Sequence, residues 1–130
     1  MADPAAPWHA HIYFTDGQRA AAAALRDDFL RMAEGADAPV LFVGRMMDEG
    51  VGPHPIPQYE IHFHEQSLPR IEAALAASGL RSLVHPLTQD DLADHTSHAR
   101  WIGEPVELDV TTLDPPGHNQ GIPRFGKSDF

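Results

Sequence analysis

The chain has 130 residues, 42% of them hydrophobic, which is typical of one compact domain with a substantial core. It contains no cysteine, so disulfides, thiolate metal sites and cysteine nucleophiles are excluded, and any metal must be bound by nitrogen and oxygen. A formal charge of -10 with only nine Lys and Arg residues argues against a nucleic-acid partner, which requires clustered basic side chains.

The first predicted strand has histidines on one face. Residues 8–14 read WHAHIYF, and strand side chains alternate, so His9, His11 and Tyr13 share one face while the residues between them share the other. The histidines therefore face away from the core. Imidazoles grouped this densely are typical of metal binding or proton transfer.

A helix and a short strand follow. Thr15 and Gln18 resemble a capping box and predict a helix that ends at Gly35. Residues 39–44 predict the second strand, and a loop rich in Gly and Pro over residues 48–57 leads to the next strand.

The third strand repeats the alternation of the first. In residues 58–64 the aromatic and aliphatic side chains form one side, and Glu60, His62 and His64 form the polar side. Residues 67–79 then predict a second helix, and residues 81–86 predict a fourth strand that contains His85.

The order of elements, βαββαβ, predicts a ferredoxin-like α+β sandwich. In this fold an antiparallel sheet has both helices on one face, which leaves an open, histidine-lined face. With the strand order four-one-three-two, we expect the first strand to be antiparallel to the fourth and parallel to the third. A second subunit or the C-terminal segment is expected to cover the open face, and the protein is predicted to be a homodimer.

This arrangement predicts that several polar residues meet at one edge of the open face, while His62 and His64 lie at its periphery. The residues expected to meet are His9, His11, His54, Glu60 and His85.

The residues after the fourth strand predict a third helix that begins near Thr88. Asp91 and His95 are four residues apart, as are Asp94 and His98, so each pair shares a helix face. The pairs either orient residues that bind a metal, without binding it themselves, or form weak ion pairs on a surface helix.

The last part of the chain is predicted to be peripheral. Residues 106–112 favour one more strand, and Trp101 is expected to pack on the domain. The domain thus spans residues 1–113, and residues 114–130 form a tail or arm rich in Pro and Gly, in which His118 is expected to be solvated.

Three ordered motifs resemble the DOPA 4,5-dioxygenase family. They are His9-Ala10-His11-Ile12-Tyr13-Phe14, Val51-Gly52-Pro53-His54-Pro55, and the run from Leu83-Val84-His85-Pro86 through Asp94-His95-Thr96 to Trp101-Ile102-Gly103. The resemblance covers nearly all of residues 8–113. It implies a non-haem iron(II) enzyme that opens a catechol ring beside its two hydroxyls with dioxygen, which is extradiol cleavage. The substrate would be DOPA-like or caffeate-like.

Iron(II) that activates dioxygen on a catechol needs a few nitrogen and oxygen ligands and open positions beside them. Facing strand ends can bring two imidazole nitrogens within about 4 Å, as ligands bonded at roughly 2 Å require, so His11 and His85 are the predicted ligands. The third ligand is open between His9, which shares their face, His54 on the adjoining loop, and the carboxylate of Glu60. The family motifs favour the histidines. Zinc or nickel can replace iron in a crystal.

The remaining candidates concern substrate and protons. A histidine of near-neutral pKa suits the base that takes a phenolic proton, and His54, held between two prolines, is the first choice, with His95 the alternate. Arg45, Tyr13 and Glu60 are predicted to contact substrate, Arg45 through a substrate carboxylate. Packing at a dimer interface is the alternative for Tyr13.

Two other functions remain alternatives. One is a non-catalytic dimeric module that binds a metal or a small aromatic molecule. The other is a zinc-dependent hydrolase or isomerase, which would act without consuming oxygen. The beginning of the chain has no basic segment followed by an apolar run, and no stretch has the length of a membrane span, so a cytoplasmic protein without a membrane partner is expected.

Overall fold

The computed structural model describes residues 4–88 and 90–113. Its elements are β1 (Pro7–Tyr13), α1 (Arg19–Met32), β2 (Phe42–Val43), β3 (Gln58–His64), α2 (Leu68–Ser78), β4 (Ser82–Pro86), α3 (Asp91–His95) and β5 (Arg100–Ile102). Single 3-10 turns occur at Asp16–Gln18, Glu65–Ser67 and Val110–Thr112. The tail from residue 114 onward, with His118, lies outside the described residues, so its predicted character stays a prediction.

The strands form one five-stranded antiparallel sheet in the order β2-β3-β1-β4-β5. This confirms the predicted α+β class and the central position of β1. The expectation that β1 runs parallel to β3 is wrong, because β1 pairs antiparallel with both β3 and β4. The start of β1 therefore meets the end of β3, and this brings His62 rather than Glu60 opposite His9.

Both long helices pack on the same face of the sheet. Ala22, Leu25 and Phe29 of α1 and Ile71 and Leu75 of α2 are buried in the main core. The sheet contributes the residues that lie between the polar ones along each strand, namely Ala10, Ile12, Tyr59, Ile61, Phe63 and Val84. Burial of each large apolar side chain stabilises the fold by about 1.5–3 kcal/mol, so this face holds the domain together.

The helix boundaries follow local chemistry. The Thr15 backbone N–H donates to Gln18 Oε1 at 3.1 Å, as the predicted capping box requires. Helix α2 ends at Gly79, whose φ of 74° lies in the left-handed region that glycine adopts without a steric penalty.

The segment after β4 differs from the expectation. Helix α3 has only five residues, and its cap is Asp90, whose side chain accepts from the Ala93 N–H at 2.9 Å, whereas Thr88 bonds to Asp94. The added strand is β5 and not residues 106–112. Within residues 106–112 the chain instead forms a 3-10 turn, in which the Asp109 side chain accepts a hydrogen bond from the Thr111 N–H.

The histidine-lined face is covered by the chain itself. Tyr13, Leu83 and Val106 form a second apolar cluster on this side, and Trp101 and Leu108 pack against it, as predicted for Trp101. The loop before β3 also contributes, through Ile56. Covering of this face thus requires no second subunit. Among the described residues, no helix is long and apolar enough to cross a membrane.

Candidate metal centre

Three rows of side chains cross the histidine-lined face, because paired residues of neighbouring strands project to the same side. The row at the start of β1 is His62, His9 and His85; the next is Glu60, His11 and Leu83; the third is Gln58 and Tyr13. The five histidines His9, His11, His54, His62 and His85 are at most 2% exposed, and His95 is 7% exposed. The predicted convergence of separate segments is therefore found, and His62 joins it against expectation.

His11 lies at the centre of this cluster. Its Nε2 is 3.2 Å from Nε2 of His85, a diagonal contact between neighbouring rows. The ring of His54 is 4.1 Å away between centroids, and the ring of His95 is 6.2 Å away. The expected approach of His11 and His85 within about 4 Å is thus observed.

The hydrogen-bond partners of the two Nδ1 atoms determine which nitrogen of each ring carries the proton. His11 Nδ1 is 3.0 Å from Gln58 Oε1, and His85 Nδ1 is 2.7 Å from the carbonyl oxygen of Pro86. Both oxygens only accept hydrogen bonds, so in each neutral ring the proton is on Nδ1 and a lone pair is on Nε2. Two lone pairs then face each other at 3.2 Å.

A cation between these lone pairs would remove their repulsion. A proton serves poorly, because burial lowers the pKa of His11 to about 4 and that of His85 well below its usual value. A metal ion serves well, since two nitrogens bonded to one ion at about 2.1 Å lie about 3 Å apart. Metal-binding histidines in proteins donate their other N–H to a carbonyl or carboxylate in this way. The donor set therefore fits a metal ion.

His9 completes a three-imidazole set with this pair. Ligand atoms of His9, His11 and His85 all lie within 4.8 Å of one another. His9 Nδ1 is 3.8 Å from Glu60 Oε2, and a carboxylate at this position favours the proton on Nδ1. Each of the three rings thus has an oxygen near Nδ1, at hydrogen-bond distance for His11 and His85 and at ion-pair distance for His9, which favours Nε2 as the atom that binds a metal.

Two other sets meet the same distance criterion. One is His11, His54 and His95, and the other is His9, Glu60 and His62. In the latter, His62 Nε2 donates to Glu60 Oε2 at 3.2 Å and the His62 ring stacks on His9 at 3.7 Å with 1° between the planes. Glu60 is thereby held between two imidazoles.

His54 and His95 lie on the other side of His11. His54 Nδ1 is 2.7 Å from the Tyr13 hydroxyl, and burial lowers the pKa of His54 while it raises that of Tyr13. His95 Nδ1 donates to the backbone carbonyl of Asp91 at 2.8 Å, so its Nε2 has the lone pair. His95 therefore presents an unprotonated Nε2 beside the metal set. The near-neutral pKa predicted for His54 is not found, because burial disfavours its protonated form and lowers its pKa.

Buried Asp94 anchors the segment that carries His95. Its two carboxylate oxygens accept from the backbone N–H and hydroxyl of Thr88 at 2.8 and 2.7 Å, and one also accepts from His98 Nδ1 at 3.2 Å. Asp91 Oδ1 is 3.5 Å from His95 Nδ1. The two predicted acid–imidazole pairs therefore form, but the two carboxylates differ in role. Asp94 anchors the loop, whereas Asp91 borders the histidine cluster.

One predicted substrate contact is not brought into the cluster: Arg45 is exposed on the loop after β2. His64, predicted to be peripheral, is half-buried at the end of β3, and the side chain of His98 is 45% exposed. The sequence interpretation missed two residues, His62 and Gln58. Antiparallel pairing of β1 with β3 would have identified both, because it places them in the same rows as His9 and Tyr13.

Comparisons with known proteins identify a family and related chains. The model of the Dopa 4,5-dioxygenase family matches residues 8–112. The chain is 34% identical over 111 residues to a DOPA 4,5-dioxygenase of Amanita muscaria, an alignment that covers 82% of this chain and 49% of the relative. It is 32% identical over 113 residues to an uncharacterized 21.2 kDa protein of Botryotinia fuckeliana, covering 79% of this chain and 61% of that protein. The chain thus spans about half to three fifths of these relatives.

A solved structure shares the fold. The crystal structure of a "putative dioxygenase" from Nostoc punctiforme PCC 73102 superposes with a TM-score of 0.74 at 31% sequence identity. The match covers 86% of this chain and 96% of the other.

Proposed function

The chain belongs to the Dopa 4,5-dioxygenase family, and on that premise we propose that it is a non-haem iron(II) extradiol dioxygenase that opens the ring of a catechol with dioxygen. The substrate class is DOPA-like or caffeate-like. One observation carries the proposal: the facing Nε2 lone pairs of His11 and His85, buried and 3.2 Å apart, call for a metal ion between them.

His9, His11 and His85 would hold the iron. Three neutral nitrogen ligands on one side of an ion leave positions free for other ligands, as ferrous oxygenases require. When bound, iron(II) would supply coordination positions for both catechol oxygens and for dioxygen, and electrons could pass from one to the other through it. The three histidines are buried, and the segment after β4 packs on the adjoining Tyr13 and Leu83, which would limit the access of water to the iron.

Residues of the chain would accept the proton that the catechol loses. A catechol must lose a phenolic proton to chelate a metal, and His95 Nε2 is an acceptor whose partner at Nδ1 keeps it in the correct tautomer. His54 is given a neutral hydrogen-bonding role, because burial lowers its pKa and its Nδ1 is bonded to the Tyr13 hydroxyl. This hydrogen bond supports a place for Tyr13 at the site rather than at an interface.

Glu60 has a different role in this proposal from the substrate contact expected of it. Its carboxylate is 2% exposed and lies between His62 and His9. We assign it to orienting His9, because a carboxylate beside Nδ1 makes the opposite nitrogen a stronger ligand.

The test is oxygen uptake by protein reconstituted anaerobically with iron(II), after addition of catechol, caffeate, protocatechuate or DOPA. We expect one O2 consumed per catechol and a new visible absorbance, both lost in His85→Ala. His98→Asn is the matched control, since it removes an exposed histidine from outside the cluster.

Two other outcomes would favour the alternatives. Iron or zinc binding with no turnover of any catechol would indicate a binding module. Turnover of an ester or isomerisable substrate by the zinc-loaded protein without oxygen consumption would indicate the hydrolase or isomerase.

A further inference from the structure

We propose that Gln58 is a substrate-binding residue that connects the metal ligand His11 to the catechol. Its amide oxygen orients His11, and its amide N–H2 group donates a hydrogen bond to an oxygen atom of the bound catechol. This inference rests on the proposed function and names the residue that recognises the substrate's chelating oxygens.

The backbone and side chain of Gln58 are both fixed. It is the first residue of β3, pairs with Tyr13 of β1, and exchanges two backbone hydrogen bonds with Met47 at 2.8 and 3.1 Å. Its side chain is fully buried, and Oε1 accepts from His11 Nδ1 at 3.0 Å. The amide group therefore lies beside a metal ligand in one defined orientation.

The NH2 group of the Gln58 amide is a hydrogen-bond donor that remains available. Gln58 Nε2 is buried and has no hydrogen-bond partner among the residues that the structure describes. A buried donor without a partner costs about 1–3 kcal/mol, and native proteins contain few of them. A ligand oxygen at this position would remove that cost.

The face of the sheet distinguishes Gln58 from similar cases. In the described part of the chain, Tyr59 and Ser82 also have a buried polar atom without a hydrogen-bond partner. Both residues pair with Ile12, so they belong to the face covered by the helices. Gln58 pairs with Tyr13 on the histidine-lined face, where the substrate would bind.

The chemistry of the ligand matches the donor. A catechol that chelates a metal held by His11 brings two oxygens, at least one of them anionic, next to the Gln58 amide. Hydrogen bonds to a charged oxygen are about twice as strong as neutral ones, so a donor here discriminates for the catecholate. An amide also stays uncharged, and it therefore does not compete with the substrate for the metal.

The experiment separates the two halves of the amide. Gln58→Glu keeps the acceptor for His11 and loses the donor, whereas Gln58→Met loses both. Iron(II) affinity is measured by competition with a chelator, and the affinity for 4-nitrocatechol is measured by anaerobic difference absorbance on the iron-loaded proteins. Gln66→Glu, which places the same charge at an exposed position, is the matched control.

We expect Gln58→Glu to bind iron(II) at least as tightly as the wild type and to bind 4-nitrocatechol at least tenfold more weakly. Gln58→Met should weaken both, by about tenfold for iron, which is the lower end of what loss of such a partner costs. Wild-type affinity of iron-loaded Gln58→Glu for 4-nitrocatechol would overturn the inference. So would loss of iron by Gln58→Glu with a retained fold, because the amide would then be donating to His11.

The failure of the proposed function would look different. If iron-loaded wild-type protein bound no catechol, both the proposal and this inference would be refuted. If the wild type bound catechol and consumed oxygen but Gln58→Glu matched it, only the role of Gln58 would be refuted.

Discussion

Acid should destabilise the metal-free protein by protonating its buried histidines. In the unfolded chain His11 takes up a proton near pH 6.5, but in the fold burial lowers its pKa to about 4. Between these values the unfolded state binds more protons than the native state, so stability rises with pH and is lost as the pH falls below 6.5.

The size of this effect follows from the shift. A difference of about 2.5 pKa units corresponds to a loss of about 3 kcal/mol once the pH is below 4, and to about 2 kcal/mol at pH 5. The pKa values of His54 and His85 are lowered in the same direction by burial, so His11 gives a lower bound. This is a large part of the 5–15 kcal/mol typical of a small domain.

The assay is urea unfolding in EDTA at pH 7.5 and pH 5.0, followed by tryptophan fluorescence from Trp8 and Trp101. We expect the free energy of unfolding to fall by at least about 2 kcal/mol between the two pH values. His11→Asn should lose about 2 kcal/mol of this difference, and His98→Asn should still lose stability on acidification because it retains His11. Equal stability at both pH values, or a gain in acid, would refute the assignment of His11 as a buried neutral imidazole.

Three further predictions follow from the same contacts. A divalent metal at 100 times its dissociation constant should stabilise the wild type by about 2.7 kcal/mol, measured as a rise in melting temperature. No rise in the wild type would contradict the metal set, and so would an equal rise in His85→Ala. Phe29→Ala should cost about 4 kcal/mol in urea unfolding, because the ring is fully buried in the main core, and a cost below about 1 kcal/mol would show that the helix face is poorly packed. Asp94→Ala should cost about 2 kcal/mol, since it leaves the Thr88 N–H and hydroxyl without their acceptor, and the same measurement on Thr88→Ala should give a smaller loss because Asp94 retains other donors.

Local patterns determined much of this protein. Alternation in residues 8–14 and 58–64 was sufficient to assign β1 and β3 and to place their histidines away from the core, because the two-residue period of a strand is a local property. Helical spacing and the glycine at 79 located α2 for the same reason. Where several local signals competed, as in residues 88–112, the third helix was predicted but not its cap or length, and the strand predicted at residues 106–112 was wrong. Asp90 and Asp109 redirect the chain there through side-chain bonds that compete with regular structure.

The sequence by itself determined which residue types could bind a metal, that no thiolate was among them, and that His9, His11 and His85 lie on strands. Only the tertiary structure decided which of them meet. Antiparallel pairing of β1 with β3 brought His62 opposite His9 and Gln58 opposite Tyr13, and a diagonal contact joined His11 to His85. The physical reason is that register and strand direction depend on how the apolar faces pack across the whole sheet, and a one-residue or directional change moves every side chain to a new neighbour.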